Sequence, residues 1–369
     1  VSRENTPCVR RIFSVALAVL LAGGIMAAVL VDRDKGQSTA TTTVRGVIGS
    51  EKADFFADPD VVRAFADHGL TVRTETSGSW AMDSLDTSGY DFAFPSSSAP
   101  ADALRSRSKD PGGPLRPFYS PLVVAAHRDA AEVLAANGLA TLQSGQPGIL
   151  RMDAYLKAMQ KNTTWQQLRG SAAHSELTGT LFVTSTDPLS SNSGALYLAA
   201  ASYVANGGAV VADSHGVAAT APLLHKLIAV QGAQQSSSDA PFRDFLSGVG
   251  NPLVLVYESQ VASLLVRHQA GELGDLVLLY PDTTVSSDHT LVPFTGNGRR
   301  VGELLRDDPR LRQLAVRYGF RPQGDTKEFN AAAAPYTAYL NQKLTGVRQA
   351  PVPTSAVMHE IARRARDEK

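Results

Sequence analysis

The sequence predicts an α/β fold: two doubly wound lobes facing a central cleft, preceded by one N-terminal transmembrane helix. Three observations carry this expectation. Short apolar runs, each closed by a loop rich in Ser, Thr or Asn, alternate with helical stretches, the pattern of strands feeding crossover helices. Two extended, proline-marked segments, 114–126 and 289–294, interrupt the alternation and read as crossings between lobes. The run Ile12–Val31 carries no charge and is long enough, at about 20 helical residues, to span a bilayer.

Taken in order, the chain opens with Arg3, Arg10 and Arg11 before that run and the balanced Asp32-Arg33-Asp34-Lys35 after it. The positive-inside rule then leaves 1–11 as a cytoplasmic tail and sends everything after Lys35 outward. An uncleaved anchor is favoured over a signal peptide, because the apolar run is long and the cleavage pattern poor. The expected location is the cell membrane, single-pass, with the folded part extracellular. Cys8 lies ahead of the anchor, so the exported part has neither disulfide nor thiolate metal site. Residues 32–43 form a polar linker.

Val44–Gly49 reads as the first strand. Helical stretches follow, with Phe55, Phe56, Val61, Val62, Phe65 and Ala66 on apolar spacing, broken at Asp58-Pro59. Leu70–Thr76 and Tyr90–Phe94 are the next strands, ending in Ser77-Gly78-Ser79-Trp80 and Pro95-Ser96-Ser97-Ser98. Pro114–Ala126 is extended. Helices are expected over His127–Asn137 and Leu156–Leu168, the latter holding Trp165.

The stretch Gly179–Asn206 has the clearest strand–loop–helix grammar. Leu181-Phe182-Val183 reads as a buried parallel strand and Gly194–Ala201 as a helix. Between them Thr184–Ser193 is nearly all hydroxyl and amide. Further on, Leu223–Val230 is helical and Pro252–Tyr257 a strand, followed by a helix bearing Val261, Leu264 and Leu265. Leu276–Tyr280 is a strong strand. Two helices over Gly298–Tyr318 break at Asp308-Pro309, and Ala331–Leu344 and Ala356–Arg366 close the chain. The resulting division is 44–116 and 255–330 for lobe I, 117–254 for lobe II, and 331–369 as a C-terminal helical tail.

Composition narrows the function classes. With 43% hydrophobic and 19% charged residues and zero net charge, the chain is ordinary globular protein, and nothing in its charge balance calls for nucleic acid. Polar loops at the carboxyl ends of strands are where ligands bind in open α/β sheets. Helix N-termini there add free N–H donors and a positive dipole end. The candidate ligand-binding residues are Ser50, Glu51, Ser77, Ser96 and Ser97 from lobe I, and Thr184, Asp187, Ser191, Asn192 and Ser193 from lobe II. Tyr257 and Glu258 stand at the junction. The plainer readings are helix caps for Ser50 and Ser191–Ser193, a solvated turn for Ser96–Ser98, and core packing for Trp80.

Hydroxyls at helix N-termini suit an oxyanion, whereas Asp187 and Glu258 suit a cation, an amine or sugar hydroxyls. Both remain open. No cofactor is expected. The eight histidines fall singly, without a metal-binding spacing, so no metal site is expected either. A serine hydrolase is the rival reading, but there is no Gly-x-Ser-x-Gly elbow, and adjacent Asp288 and His289 cannot easily face each other. A structural or interaction protein of the envelope that has lost ligand binding is the third.

Four motifs carry a resemblance: GVIGSEK (Gly46–Lys52), TSTDPLSSNSG (Thr184–Gly194), VYESQ (Val256–Gln260) and YPDTTVSSDHTLVPF (Tyr280–Phe294). Over roughly 44–320 the chain resembles the type II periplasmic, or extracellular, solute-binding proteins of ABC importers. It looks most like membrane-anchored actinobacterial forms. The resemblance implies a non-enzyme that closes two lobes over a small polar solute or oxyanion, with an ABC transporter permease as partner and the membrane reached through the N-terminal helix.

Overall fold

The computed structural model describes residues 41–366. The expected anchor over 12–31, its flanking tail and most of the 32–43 linker lie outside them. No helix among the described residues is long and apolar enough to cross a membrane. From Thr43 onward the chain forms one compact unit.

Twelve strands are present among the described residues: β1 Thr42–Ile48, β2 Leu70–Thr76, β3 Phe92–Phe94, β4 Leu115–His127, β5 Ala140–Thr141, β6 Gly148–Leu150, β7 Leu253–Tyr257, β8 Leu276–Pro281, β9 Thr283–Thr284, β10 Ser286–Pro293, β11 Arg321–Pro322 and β12 Arg348–Gln349. Ten of them join one sheet, along the path β2-β1-β3-β10-β4-β8-β6-β5 with β7 and β11 also on β4. β4 is the spine. Its first half pairs with β10 and its second half, Leu122–His127, pairs with β7 and β8.

The doubly wound pattern is only half realised. β1 pairs with β3, and β6 with β8, in parallel. β10 runs antiparallel to β3 and to β4, and β4 runs antiparallel to β7 and β8. The sheet is therefore mixed. The two segments read as crossings are long strands in their own right, and each meets its neighbours head to tail.

The expected strand Leu181–Val183 is a correction of the same kind. Its side chains are buried at Leu181 and Val183, but no strand ladder forms: the backbone makes isolated bridges at its two ends, Thr180 with Thr164 and, in parallel, Thr184 with Val254. Thr184 N–H donates to the Leu253 carbonyl at 2.9 Å, and its carbonyl accepts from Leu255 N–H at 2.8 Å. Burial alone produced the strand signal. Two helix expectations also shorten: Met152–Gln160 ends before a 3-10 turn at Trp165–Gln167, and Lys327–Ala333 ends well before Leu344.

Where local chemistry is explicit, the boundaries hold. Asp58 and Asp308 each precede a proline at the first helical position. Each accepts a backbone N–H with its carboxylate, from Asp60 at 2.7 Å and Leu311 at 2.9 Å. The core is built around the sheet in separate clusters. One gathers Phe55, Phe56, Phe65, Phe92, Phe94 and Phe118 beside β1 and β3. The largest lies under the helices Asn192–Ala205 and Ser214–Ala229.

Candidate functional site

Loops at the carboxyl ends of β1, β2 and β3 meet the N-terminus of the helix Asn192–Ala205 and the end of β7. Gly49, Ser50, Glu51, Ser77, Ser79, Ser96, Ser191, Asn192, Ser237 and Tyr257 face a cavity of about 10 Å³, room for roughly one water. Seven of the twelve residues singled out from sequence lie on it: Ser50, Glu51, Ser77, Ser96, Ser191, Asn192 and Tyr257.

Asn192 is the junction. It is buried, and its Oδ1 accepts from Ser97 Oγ while its Nδ2 donates to Tyr257 Oη at 3.2 Å and Ser287 Oγ at 3.4 Å. Ser50 and Ser237 share a hydrogen bond of 3.0 Å. The residues after β1 and β3 are thereby tied to those of the Thr184–Gly194 and 236–238 loops. The plain capping reading does not describe this loop: Ser191 stands at the cap position without a side-chain cap bond. Thr186 Oγ1 instead accepts from Gly194 N–H at 2.8 Å and pairs with Ser193 Oγ at 2.7 Å. That fold-back leaves no space at Gly194, where a Cβ would stand 2.1 Å from the Thr186 carbonyl oxygen. Gly194→Ala is expected to destabilise the protein by about 1–3 kcal/mol despite alanine's better helix propensity. A urea midpoint equal to wild type would contradict that packing.

Behind the serines lies a charged group that sequence reasoning did not assemble. Lys52 and His289 are wholly buried and Glu51 nearly so. Lys52 Nζ donates to Glu51 and to Ser96 Oγ at 3.3 Å, and lies 3.1 Å from His289 Nδ1 and 4.8 Å from the Phe94 ring centre. Ser96 Oγ also donates to Glu51 Oε1. Burial pushes the Glu51 carboxyl up, but the Lys52 ammonium and the His289 imidazole outweigh it and hold Glu51 below the usual carboxylate range. His289 is lowered to about 4 by burial and by Lys52. It is therefore a neutral imidazole at neutral pH. Burial and the Glu51 charge push the Tyr257 phenol well up, so it stays protonated. The cavity thus offers hydroxyls, an amide and a carboxylate whose charge is already met by Lys52.

The remaining candidates fall elsewhere. Ser97 and Ser193 support the cavity through Asn192 and Thr186. Thr184 engages its backbone beside β7. Asp187 turns back on its own loop, accepting from Leu189 N–H at 3.1 Å, and sits 3.6 Å from Arg366. Glu258 is buried against Arg321, with bonds of 2.7 and 2.8 Å, and accepts from Tyr280 Oη. Neither carboxylate lines the cavity: each faces a partner arginine outside it. Trp80 is buried core, its ring 4.5 Å from that of His359. Asp288 accepts from Gln323 at 3.1 Å whereas His289 points to Lys52, so strand alternation separates the two as expected.

No family model matches the chain, and no curated protein matches it in sequence. Solved structures do match. Iron-bound HitA from Pseudomonas aeruginosa is 12% identical over 88% of this chain and 99% of that one, with a TM-score of 0.57. The ferric binding protein from Campylobacter jejuni is 9% identical over 88% and 98%, with a TM-score of 0.55. The periplasmic binding protein AfuA from Actinobacillus pleuropneumoniae, with exogenous fructose-6-phosphate bound, is 11% identical over 88% and 97%, at 0.54. The chain has the fold of the type II periplasmic solute-binding proteins.

Proposed function

We propose that this protein is an extracellular solute-binding protein that closes two lobes over a small polar solute, an oxyanion in the first instance, and works beside an ABC importer. The observation that carries the reading is convergence. The helices Ser98–Arg105, Asn192–Ala205 and Asp239–Leu246 begin at Ser97, Ser191 and Ser238, beside the same cavity. Their dipoles favour negative charge there, although the Gly194 and Asp239 N–H groups already donate to Thr186 and Ser237 hydroxyls. The Glu51 carboxylate would oppose an anion, but Lys52 and His289 surround it. With Asp187 and Glu258 engaged elsewhere, the sequence argument for an amine loses both its carboxylates.

The two lobes are drawn at the crossings. Lobe I begins at 44–116 and lobe II at 117, within β4. The pairing of β7 and β8 with the far half of β4 supports placing the return at β10 rather than at residue 255. Anchoring through 12–31 and a permease partner complete the reading. A reporter fused after Lys369 should then be active only outside the cytoplasm.

The decisive experiment is a thermal-shift screen with sulfate, phosphate and molybdate, followed by titration calorimetry on any anion that raises Tm. Asn192→Ala is expected to weaken that anion by about 1–3 kcal/mol, since donors aimed at the ligand are left disordered. Asp187→Asn should leave affinity unchanged. No shift with any anion would overturn the oxyanion reading, and ester turnover abolished by a Ser→Ala change would favour the hydrolase.

A further inference from the structure

We propose that Asp129, His174 and Glu176 form a surface site for a divalent transition-metal ion of the zinc type, separate from the cavity described above. Their ligand atoms all lie within 4.8 Å of one another. His174 Nδ1 is 3.0 Å from Asp129 Oδ2 and 3.7 Å from Glu176 Oε1. Tetrahedral zinc with bonds of about 2.0–2.2 Å separates its ligands by about 3.3–3.6 Å, so modest side-chain rotation brings the three onto one ion.

The elements that carry Asp129 and His174 are fastened to each other. Asp129 lies in the first turn of the helix Arg128–Ala136, directly after β4. The segment bearing His174 is fastened to the end of that helix. Asn137 Nδ2 donates to the Arg169 carbonyl and Asn137 Oδ1 accepts from Arg169 N–H, each at 3.0 Å, and Arg169 Nη2 donates to the Ala136 carbonyl. Buried Trp165 and Leu177 pin the segment on either side. Within it, His174 N–H donates to the Ser171 carbonyl at 2.9 Å and Leu177 N–H to the His174 carbonyl at 3.1 Å. A short loop locked at both ends keeps the imidazole over Asp129.

A neutral imidazole Nδ1–H reaches one carboxylate at a time, and water solvates the other, both carboxylates being about half exposed. A cation at the point where the three converge satisfies all of them and removes the repulsion between Asp129 and Glu176. One imidazole nitrogen with two carboxylate oxygens suits zinc, cobalt, nickel or copper, whereas magnesium and calcium take all-oxygen sets. The imidazole is a quarter exposed and the carboxylates about half, leaving coordination positions open to water. No motif announces the site, because Asp129 and His174 come from elements far apart in sequence.

The test uses the purified protein, stripped with chelator and titrated with zinc chloride in a calorimeter at neutral pH. One saturable site is expected, with no comparable binding of magnesium. His174→Ala and Glu176→Gln should each weaken zinc at least about tenfold, and cobalt added to wild type should give visible bands that both variants lose. If His174→Ala fails to fold by circular dichroism, Asp129→Asn, on an exposed helix turn, takes its place. Absence of saturable zinc binding overturns the proposal. So does equal zinc affinity in wild type and the folded variants, which would assign the ion to other histidines.

Discussion

Arg321→Met is expected to lower the free energy of unfolding by about 3–5 kcal/mol, because it leaves one buried carboxylate without its counter-charge. Glu258 and Arg321 are 0% and 1% exposed. The guanidinium presents Nε to Oε1 at 2.7 Å and Nη2 to Oε2 at 2.8 Å. Two more of its N–H groups donate to the Gln342 and Asn341 carbonyls, both at 2.8 Å, and its face covers the Phe329 ring at 4.2 Å. Burial would ease the proton off Arg321, but the Glu258 carboxylate more than offsets it and raises the guanidinium further. Tyr280 completes the set. Its hydroxyl donates to Glu258 and accepts from Asn341 N–H at 3.0 Å, and its titration is pushed well up by burial and by Glu258. The cluster thus ties β11 and the 341–342 segment to the start of the helix that follows β7.

The cost in that variant comes from the orphaned charge rather than from the lost attraction. Removing Glu258 as well, in Glu258→Leu/Arg321→Met, should therefore recover much of the loss. Urea unfolding of the two single variants and the double variant measures this. A single-variant loss under about 1 kcal/mol would mean that water or another cation reaches Glu258 once Arg321 is gone.

The same cluster shows where sequence reading stops. A carboxylate just past a strand end looks alike whether it faces a ligand or an arginine, and the partner of Glu258 lies 63 residues further along the chain. Asp187 likewise sits beside an arginine, Arg366, from the far end of the chain. Legibility was best where the signal is local. Asp58-Pro59 and Asp308-Pro309 name their helix starts because the cap, the fixed φ and the first turn all lie within four residues. The apolar runs at β7 and β8 were equally plain, whereas the Pro-bearing 114–126 segment, read as a crossing, is the long strand β4. Strand direction was not plain, since an apolar run carries no record of its neighbour's sense. The strand–loop–helix grammar placed the hydroxyl loops after β1 and β3 and before Asn192 at strand ends, and the structure brings them around one cavity. Lys52 and His289 were not legible in it, because the contact that joins them spans 237 residues.

That contact carries the second large effect. Lys52→Met should cost about 3 kcal/mol at neutral pH, the lower end for a broken buried pair, because Glu51 keeps Ser96 and borders the cavity. Glu51→Gln/Lys52→Met should restore part of it. The pH dependence follows from the same three residues. His289 titrates at about 4 in the folded protein against 6.5 in an unfolded chain. As pH falls through 6.5 the unfolded chain takes up a proton that the native protein refuses. The stabilisation is complete above that pH, declines below it and is gone near pH 4, a change of about 3 kcal/mol. Glu51, held below its ordinary range, keeps its contribution until pH drops beneath about 4.5 and then loses it. Acid should therefore weaken the protein in two stages, histidine first. Urea midpoints at about pH 7.5, 5.5, 4.5 and 3.5 separate them. His289→Gln, which cannot titrate, should show a flatter fall between pH 6.5 and 4.5 than wild type, with the steep loss below 4.5 retained. Parallel curves for the two proteins would place the acid sensitivity outside the Glu51–Lys52–His289 group. The cavity serines would then be backed by a network that does not respond to pH.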